Sequence, residues 1–281
     1  MTSSIAPPPI IPLSAILPTE PLLLMGAGPV PIPQAVAQAY RDLFRCLGAL
    51  RRLAVIVLLI MLAFEIAETL LLPSSPGESS RNLLVRFVSG LAQGFLIVPY
   101  YIAVHRLLIL GEVTTSYALV PSNPRFQHFF WWWAALSVGT FLPMFLLETL
   151  PETRAMRPFP HLLALILMLV VFVGIIIATL RLTIIFPAVA VDAPGASWQN
   201  AMADTKGYAW RIFLFGLVAS LPLLVPTLIL IVLVAIGRAA GSWIFGLIYM
   251  IFAAALAVTA ITLFVIVASR LYLWIGNRVK A

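Results

Sequence analysis

Residues 162–180 read LLALILMLVVFVGIIIATL, nineteen positions without a single charged side chain. A helix of about 20 apolar residues spans the hydrocarbon core of a bilayer, and a soluble core helix rarely needs so long an unbroken run. This stretch therefore places the chain in a membrane. Working outward, five more stretches have the same character, which gives six expected spans near 53–73, 83–104, 129–150, 162–188, 211–236 and 243–269. The prolines Pro99, Pro143, Pro187, Pro222 and Pro226 fall inside them. Membrane helices accommodate such residues because neighbouring groups satisfy the freed carbonyls.

Composition agrees. Mean hydropathy is +1.08, and only 10% of the 281 residues are charged, against about 25% in a soluble domain. The net charge of +7 comes from fifteen arginines and two lysines that flank the apolar runs. That placement points to lipid head groups as partners rather than nucleic acid. The lone cysteine, Cys46, excludes an internal disulfide and a cysteine-based zinc site.

The basic residues also give an orientation. Arg41, Arg45, Arg51, Arg52, Arg106, Arg125, Arg181, Lys206, Arg211, Arg270, Arg278 and Lys280 fall on one side of the expected spans; Arg81, Arg86, Arg154, Arg157 and Arg238 fall on the other. Twelve against five puts the first set, with both termini, in the cytoplasm. Phe129, Phe130, Trp131, Trp132, Trp133, Trp210 and Trp274 then line the cytoplasmic boundary, where amphipathic rings settle. The first 33 residues hold nine prolines and one charge, Glu20. They carry no signal-peptide pattern and are expected to form a disordered tail, with the six-helix membrane domain occupying 34–281. Residues 1–24 are expected either to be dispensable, with Met25 an alternative start, or to form a proline-rich tail that binds a partner or lies on the membrane.

A weak internal repeat runs through the chain. Arg106, Arg181 and Arg270, each followed by leucine, close the second, fourth and sixth spans. Short amphipathic segments at 34–47 and 198–206 precede the first and third hairpins, with 113–128 as a degenerate third copy. In the first, Val36, Tyr40, Leu43 and Leu47 share a face, opposite Gln38, Asp42 and Arg45. In the second, Ser197 is an expected N-cap and Gly207 a C-terminal stop. The expected fold is thus an all-α membrane protein, a six-helix bundle of three parallel hairpins with interfacial helices lying apolar side down. Mitochondrial carriers share three two-helix repeats, but their Pro-x-acidic-x-x-basic signature is missing here.

The stretch 181–215, RLTIIFPAVAVDAPGASWQNAMADTKGYAWRIFLF, together with HRLLILGE at 105–112, resembles a group of uncharacterised six-helix bacterial inner-membrane proteins. These are related to the membrane domain fused to some glycerophosphodiester phosphodiesterases. The matching residues are Arg181, Pro187, Ala188, Asp192, the Trp198 segment, Gly207, Trp210 and Arg211. The resemblance implies a fold and a bacterial inner membrane; the phosphodiesterase barrel and its acid–base residues are absent from this sequence.

Candidate chemistry is sparse. Glu65 and Glu68 share one face of the first span, Arg86 opens the second and Glu148 lies in the outer half of the third. A charge at the bilayer centre costs roughly 2.5–3.5 kcal/mol on insertion scales, so these groups are expected to face inward and pair, Arg86 with Glu65 or Glu68. With Gln93 they form the candidate intramembrane polar cluster, read as either a structural pair or an ion relay. Gly90 and Gly94 are spaced for close helix approach. His105, Glu112 and His128 match no metal-binding spacing, and Asp192 is expected to cap the 197–206 helix or pair with Arg181 or Lys206. No cofactor is implied. The expected function is non-enzymatic, a scaffold, assembly or envelope-homeostasis factor contacting anionic lipid or partner membrane proteins. The alternative is a transporter or lipid-translocating protein with a polar cleft.

Overall fold

A computed structural model describes residues 32–71, 79–149, 158–240 and 243–281. The proline-rich tail and the question of residues 1–24 therefore lie outside the described residues. Every regular element described is helical: α1 (Ile32–Ala49), α2 (Arg51–Leu71), α3 (Ser79–Leu110), α4 (Pro124–Thr149), α5 (Pro158–Leu182), α6 (Ile185–Ala190), α7 (Trp198–Asp204), α8 (Ala209–Ser220), α9 (Leu224–Ala240) and α10 (Trp243–Ile275).

Five stretches among the described residues are helical, long and apolar enough to cross a membrane: Arg51–Leu70, Asn82–Leu110, Ile166–Ala190, Ala209–Gly237 and Ile244–Ile275. The chain is thus a helical, multi-pass membrane protein. The expected third span, α4, is not one of the five. Ser137, Gly139, Thr140 and a triple tryptophan dilute it, and several side chains near its far end lie outside the described residues. It nonetheless runs antiparallel along α3. Phe126 and Phe130 meet Phe95 edge-on, Trp133 covers Gly94, and Phe141 stacks on Phe87 at 4.0 Å between centroids.

Proline chemistry decides where helices break. Pro187 cannot donate to the carbonyl of Thr183 and its ring crowds that group, so α5 stops at Leu182 and α6 restarts at Ile185. Pro222 and Pro226 do the same between α8 and α9, where Leu221–Leu223 form a 3-10 turn. The expected single spans at 162–188 and 211–236 are each two helices in series.

α6 ends in a Schellman motif. The amide of Ala193 donates to the Ala188 carbonyl at 2.9 Å and that of Asp192 to Val189 at 3.2 Å, with Asp192 in the left-handed region at φ +55°. Aspartate tolerates that conformation better than bulkier residues do. Asp192 therefore terminates the helix before it rather than capping the one after it.

The interfacial segments follow expectation in part. α7 begins at Ser197, whose hydroxyl accepts from the Asn200 amide, and the turn after it needs Gly207 at φ +82°. α1 is present, but Ala39, Leu43 and Cys46 are covered by protein, chiefly α10 and α8, rather than laid on lipid. Asp42, expected on its polar face, is buried with them. The third segment is not a helix at all between 111 and 123. Gly111 at φ +72° ends α3, and the run Thr114-Thr115-Ser116 followed by Pro121 and Pro124 disfavours a new helix. It folds back along α3 as a strap, Tyr117 donating to the Leu96 carbonyl at 2.6 Å, and α4 then starts from Asn123 as N-cap with Pro124 at the first helical position.

The core lies where the C-terminal halves of α3 and α10 meet α1, α6 and the starts of α2, α4 and α8. Tyr100, Ile97, Val104, Ile184, Ala188, Ile266 and Leu271 are fully or almost fully buried there. We call this the basic end.

Candidate functional site

The polar cluster expected from sequence does not assemble as a buried site. Arg86 approaches Glu68 only to 3.9 Å and is 62% exposed. Glu65 and Gln93 are half-buried, and the Glu148 side chain lies outside the described residues. The pair Arg86–Glu68 is therefore a loose contact, because a long side chain not covered by protein gains little by being held in one geometry. Gly94 does permit close approach, but of a ring: a Cβ there would lie 2.0 Å from the Trp133 indole, whereas Gly90 faces open space.

The three repeat arginines are where the structure concentrates its charge. Arg270 donates through Nε to Asp42 Oδ2 at 2.7 Å and contacts it again through Nη2. Asp42 is 4% exposed, so this is a buried, two-pronged pair tying α10 to α1. Arg181 donates to the Met202 carbonyl and, at 3.4 Å, to Thr205 Oγ1, tying α5 to α7. Arg106 donates through Nε to Glu112 at 2.7 Å and to the Ala190 carbonyl at 3.1 Å, and lies 3.6 Å from Asp192.

Asp192 has a second and closer partner. Arg125 holds it in a bidentate grip, Nε to Oδ1 at 2.8 Å and Nη2 to Oδ2. The Arg125 guanidinium, with Arg106 beside it, keeps the Asp192 carboxyl below its ordinary range. The expected partners Arg181 and Lys206 are not used. Arg181 is already committed to α7, and the left-handed backbone at Asp192 belongs to the motif that brings its side chain to the arginines of α3 and α4.

The C-terminal residues are clamped to the same end. Asp204 accepts from the amides of Arg278 and Val279 at 2.8 and 3.0 Å, Asn200 donates to the Gly195 carbonyl, and Val279 is fully buried. Gly195 makes this possible, since a Cβ there would sit 2.0 Å from the Arg278 carbonyl oxygen.

With those groups paired, a second set of cations remains exposed. Arg41, Arg45, Arg51, Arg52 and Lys206 have no acidic partner among the described residues. Arg211 has only the Tyr208 ring at 5.9 Å. Trp198 and Trp210 are 51% and 66% exposed beside them, the amphipathic rings expected at a head-group boundary. Cys46, by contrast, is sealed in the core, and burial with Asp42 nearby pushes its thiol up to about 12, so it is neither a nucleophile nor an accessible acylation site.

The last feature is an apolar cleft of about 300 Å³ between α3, α4, α8 and α10, closed on one side by the α5–α6 bend. Tyr101, His105, Thr183 and Trp133 are the lining residues whose side chains carry polar atoms. His105 is held by Ser269, Nδ1 to Oγ at 2.7 Å, and Glu112 by Arg106. Among the described residues no three His, Cys, Asp or Glu side chains gather as a metal-binding group.

Compared with known proteins, the chain matches no family model, no curated protein and no solved structure.

Sequence reasoning missed Asp42 as a buried partner and Asp192 as the hub of two arginines. Both signals were present in principle: Asp42 follows the buried Ala39 by three residues, and Asp192 precedes Pro194-Gly195 as C-terminal stop residues do. Which arginine each would meet depends on contacts 67 and 228 residues apart.

Proposed function

We propose that this chain is a non-enzymatic, six-span protein of a bacterial inner membrane, a scaffold or assembly factor whose basic end faces the cytoplasm and holds anionic phospholipid head groups. The observation that carries the reading is the division of labour among its cations. Arg106, Arg181 and Arg270 are consumed inside the fold, while Arg41, Arg45, Arg51, Arg52 and Lys206 stand exposed without acidic partners among the described residues. Each such residue near an anionic surface is worth about 1 kcal/mol. A partner protein would meet a rigid platform, since the same end carries the buried core.

The sixth span in this reading is α4, supported by its antiparallel path along α3. The three-hairpin plan draws support from the arginines. Arg106 binds the strap that leads into the second hairpin, Arg181 binds α7 that leads into the third, and Arg270 closes back on α1 that leads into the first. The resemblance to the membrane domain of certain glycerophosphodiester phosphodiesterases belongs to the same proposal. Of the residues that carry it, Arg181, Pro187, Asp192 and Gly207 each have a local structural task. The transporter alternative draws less support, because among the described residues Arg86 and Glu68 make only a loose contact at 3.9 Å.

Lipid analysis of the full chain purified in mild detergent tests the reading. Phosphatidylglycerol and cardiolipin should be retained over phosphatidylethanolamine, and replacing Arg41, Arg45, Arg51 and Arg52 together by glutamine should remove the preference. Equal retention of zwitterionic lipid overturns it, and substrate-dependent uptake in proteoliposomes would favour the transporter. Orientation is tested by cysteine labelling. Cys46 is too buried to report, so Ala49→Cys and Ala155→Cys in a Cys46→Ser background are the informative pair. Labelling from outside is expected at 155 alone, and the reverse would invert the topology.

A further inference from the structure

We propose that the apolar cleft beside His105 is a binding site for a neutral long-chain lipid bearing a free hydroxyl. It is a different site from the exposed cations of the basic end. Its walls are Phe129 and Trp133 of α4, Phe186 of α6, Ile212 of α8 and Phe264 of α10, and its volume of about 300 Å³ lies at the lower end of ligand sites. No charged side chain lines it, so a phosphate or carboxylate entering it would be desolvated without a counter-charge.

Besides the Trp133 indole, two lining side chains on α3 each carry an atom with no protein partner among the described residues. His105 is 1% exposed and spends only one ring nitrogen on the protein, Nδ1 on Ser269. Ser269 has a single hydroxyl proton, and the Val265 carbonyl accepts it at 3.0 Å. Nδ1–H therefore donates to Ser269, and Nε2 is a bare acceptor in a residue that lines the cleft. One helical turn earlier on the same face of α3, the Tyr101 hydroxyl is likewise free of any protein hydrogen bond among the described residues. By contrast Tyr100, its neighbour, reaches Thr262 at 2.7 Å, and Thr183 is bonded to the Thr179 carbonyl at 2.9 Å.

His105 Nε2 and the Tyr101 hydroxyl belong to side chains that line the cleft, and one ligand group satisfies both. A lipid hydroxyl donates to His105 Nε2 and accepts from Tyr101 O–H, while its chain fills the space between the aromatic walls. An alkane leaves both groups unpaired. A phosphate ester matches neither the neutrality nor the single-donor pattern.

The test uses the full chain in nanodiscs with a diazirine-bearing hexadecan-1-ol, mapping labelled peptides by mass spectrometry. Labelling is expected on 97–108 and 261–271. Excess hexadecan-1-ol should displace it about tenfold more effectively than hexadecane, the difference of one or two hydrogen bonds, and hexadecyl phosphate should not displace it at all. Tyr101→Phe, which keeps the ring, and His105→Leu should each erase most of the preference for alcohol over alkane. Ala268→Phe, which fills the cleft from α10, should abolish labelling. Equal displacement by hexadecane overturns the proposal, as does best displacement by hexadecyl phosphate. Labelling that survives Ala268→Phe in a folded protein overturns it too. Should His105→Leu fail to fold, Tyr101→Phe and Ala268→Phe still decide.

Discussion

At the basic end, Ile184, Ile185, Ala188 and Ala190 have no exposed surface, whereas Leu167, Leu169 and Val170 at the far half of α5 and Val225, Leu228 and Ile231 on α9 are more than half exposed. The two regions are equally apolar in sequence. They differ in what surrounds them: protein in one case, lipid chains in the other, which are as apolar as leucine itself and exert no drive toward helix association. Packing at the far half is therefore optional. At the basic end it is enforced, because the buried Asp42 and the Arg270 that meets it cannot be left unpaired inside the bundle. Polar contacts, more than apolar ones, decide where this protein is rigid.

The comparison is broken most directly by Arg270→Leu. It strands the buried Asp42 carboxylate and should cost about 3–5 kcal/mol in unfolding measured by denaturant titration in detergent, with Asp42→Leu added to it recovering much of the loss. If Arg270→Leu is as mild as a surface change, the basic end is not held as described.

Next in size, Ile266→Ala at the basic end should cost about 2–5 kcal/mol, while Leu228→Ala on α9 should cost under about 0.5 kcal/mol. Parallel melting curves of the two variants sharpen the contrast, and similar shifts would show the far half to be packed after all. Gly195→Ala should act between these. Its methyl group meets the Arg278 backbone oxygen, so the C-terminal clamp must open, and faster proteolysis at the C-terminus with the spans intact is the expected readout.

Smaller again is the contribution of Asp192. Its carboxyl is held below the ordinary range by Arg125, so the pair's stabilisation is complete above about pH 4 and is lost as pH falls through the lowered folded value. Asp192 is 54% exposed, which limits the effect to about 1 kcal/mol. Asp192→Asn keeps a side chain suited to the left-handed backbone and should flatten that acid dependence; an unchanged pH profile would show the grip to be electrostatically idle. Least of all, Arg86→Leu should change stability by less than about 0.5 kcal/mol, because Arg86 is exposed and 3.9 Å from its partner. A loss as large as that of Arg270→Leu would restore the buried-pair reading of Glu65, Glu68 and Arg86.

Local chemistry was legible without coordinates. Unbroken apolar runs determined that the chain is helical and membrane-spanning, since only internally bonded backbone is tolerated in hydrocarbon. Ser197 and Gly207 marked the ends of α7 because their effects reach no further than a turn, whereas the breaks at Pro187, Pro222 and Pro226 were expected only as kinks inside single spans. The repeated Arg-Leu step also marked Arg106, Arg181 and Arg270 as unusual positions. Only the tertiary structure decided their partners, because an ion pair depends on where helices distant in sequence come to lie. It moved Asp42 from an expected polar face into the core, gave Asp192 to Arg125, turned 111–123 into a strap, and loosened the Arg86–Glu68 contact. The cleft was hidden for the same reason. Tyr101 and His105 are four residues apart in the sequence, but the aromatic walls that face them come from α4, α6 and α10, and no periodicity within one helix records what the next will place against it.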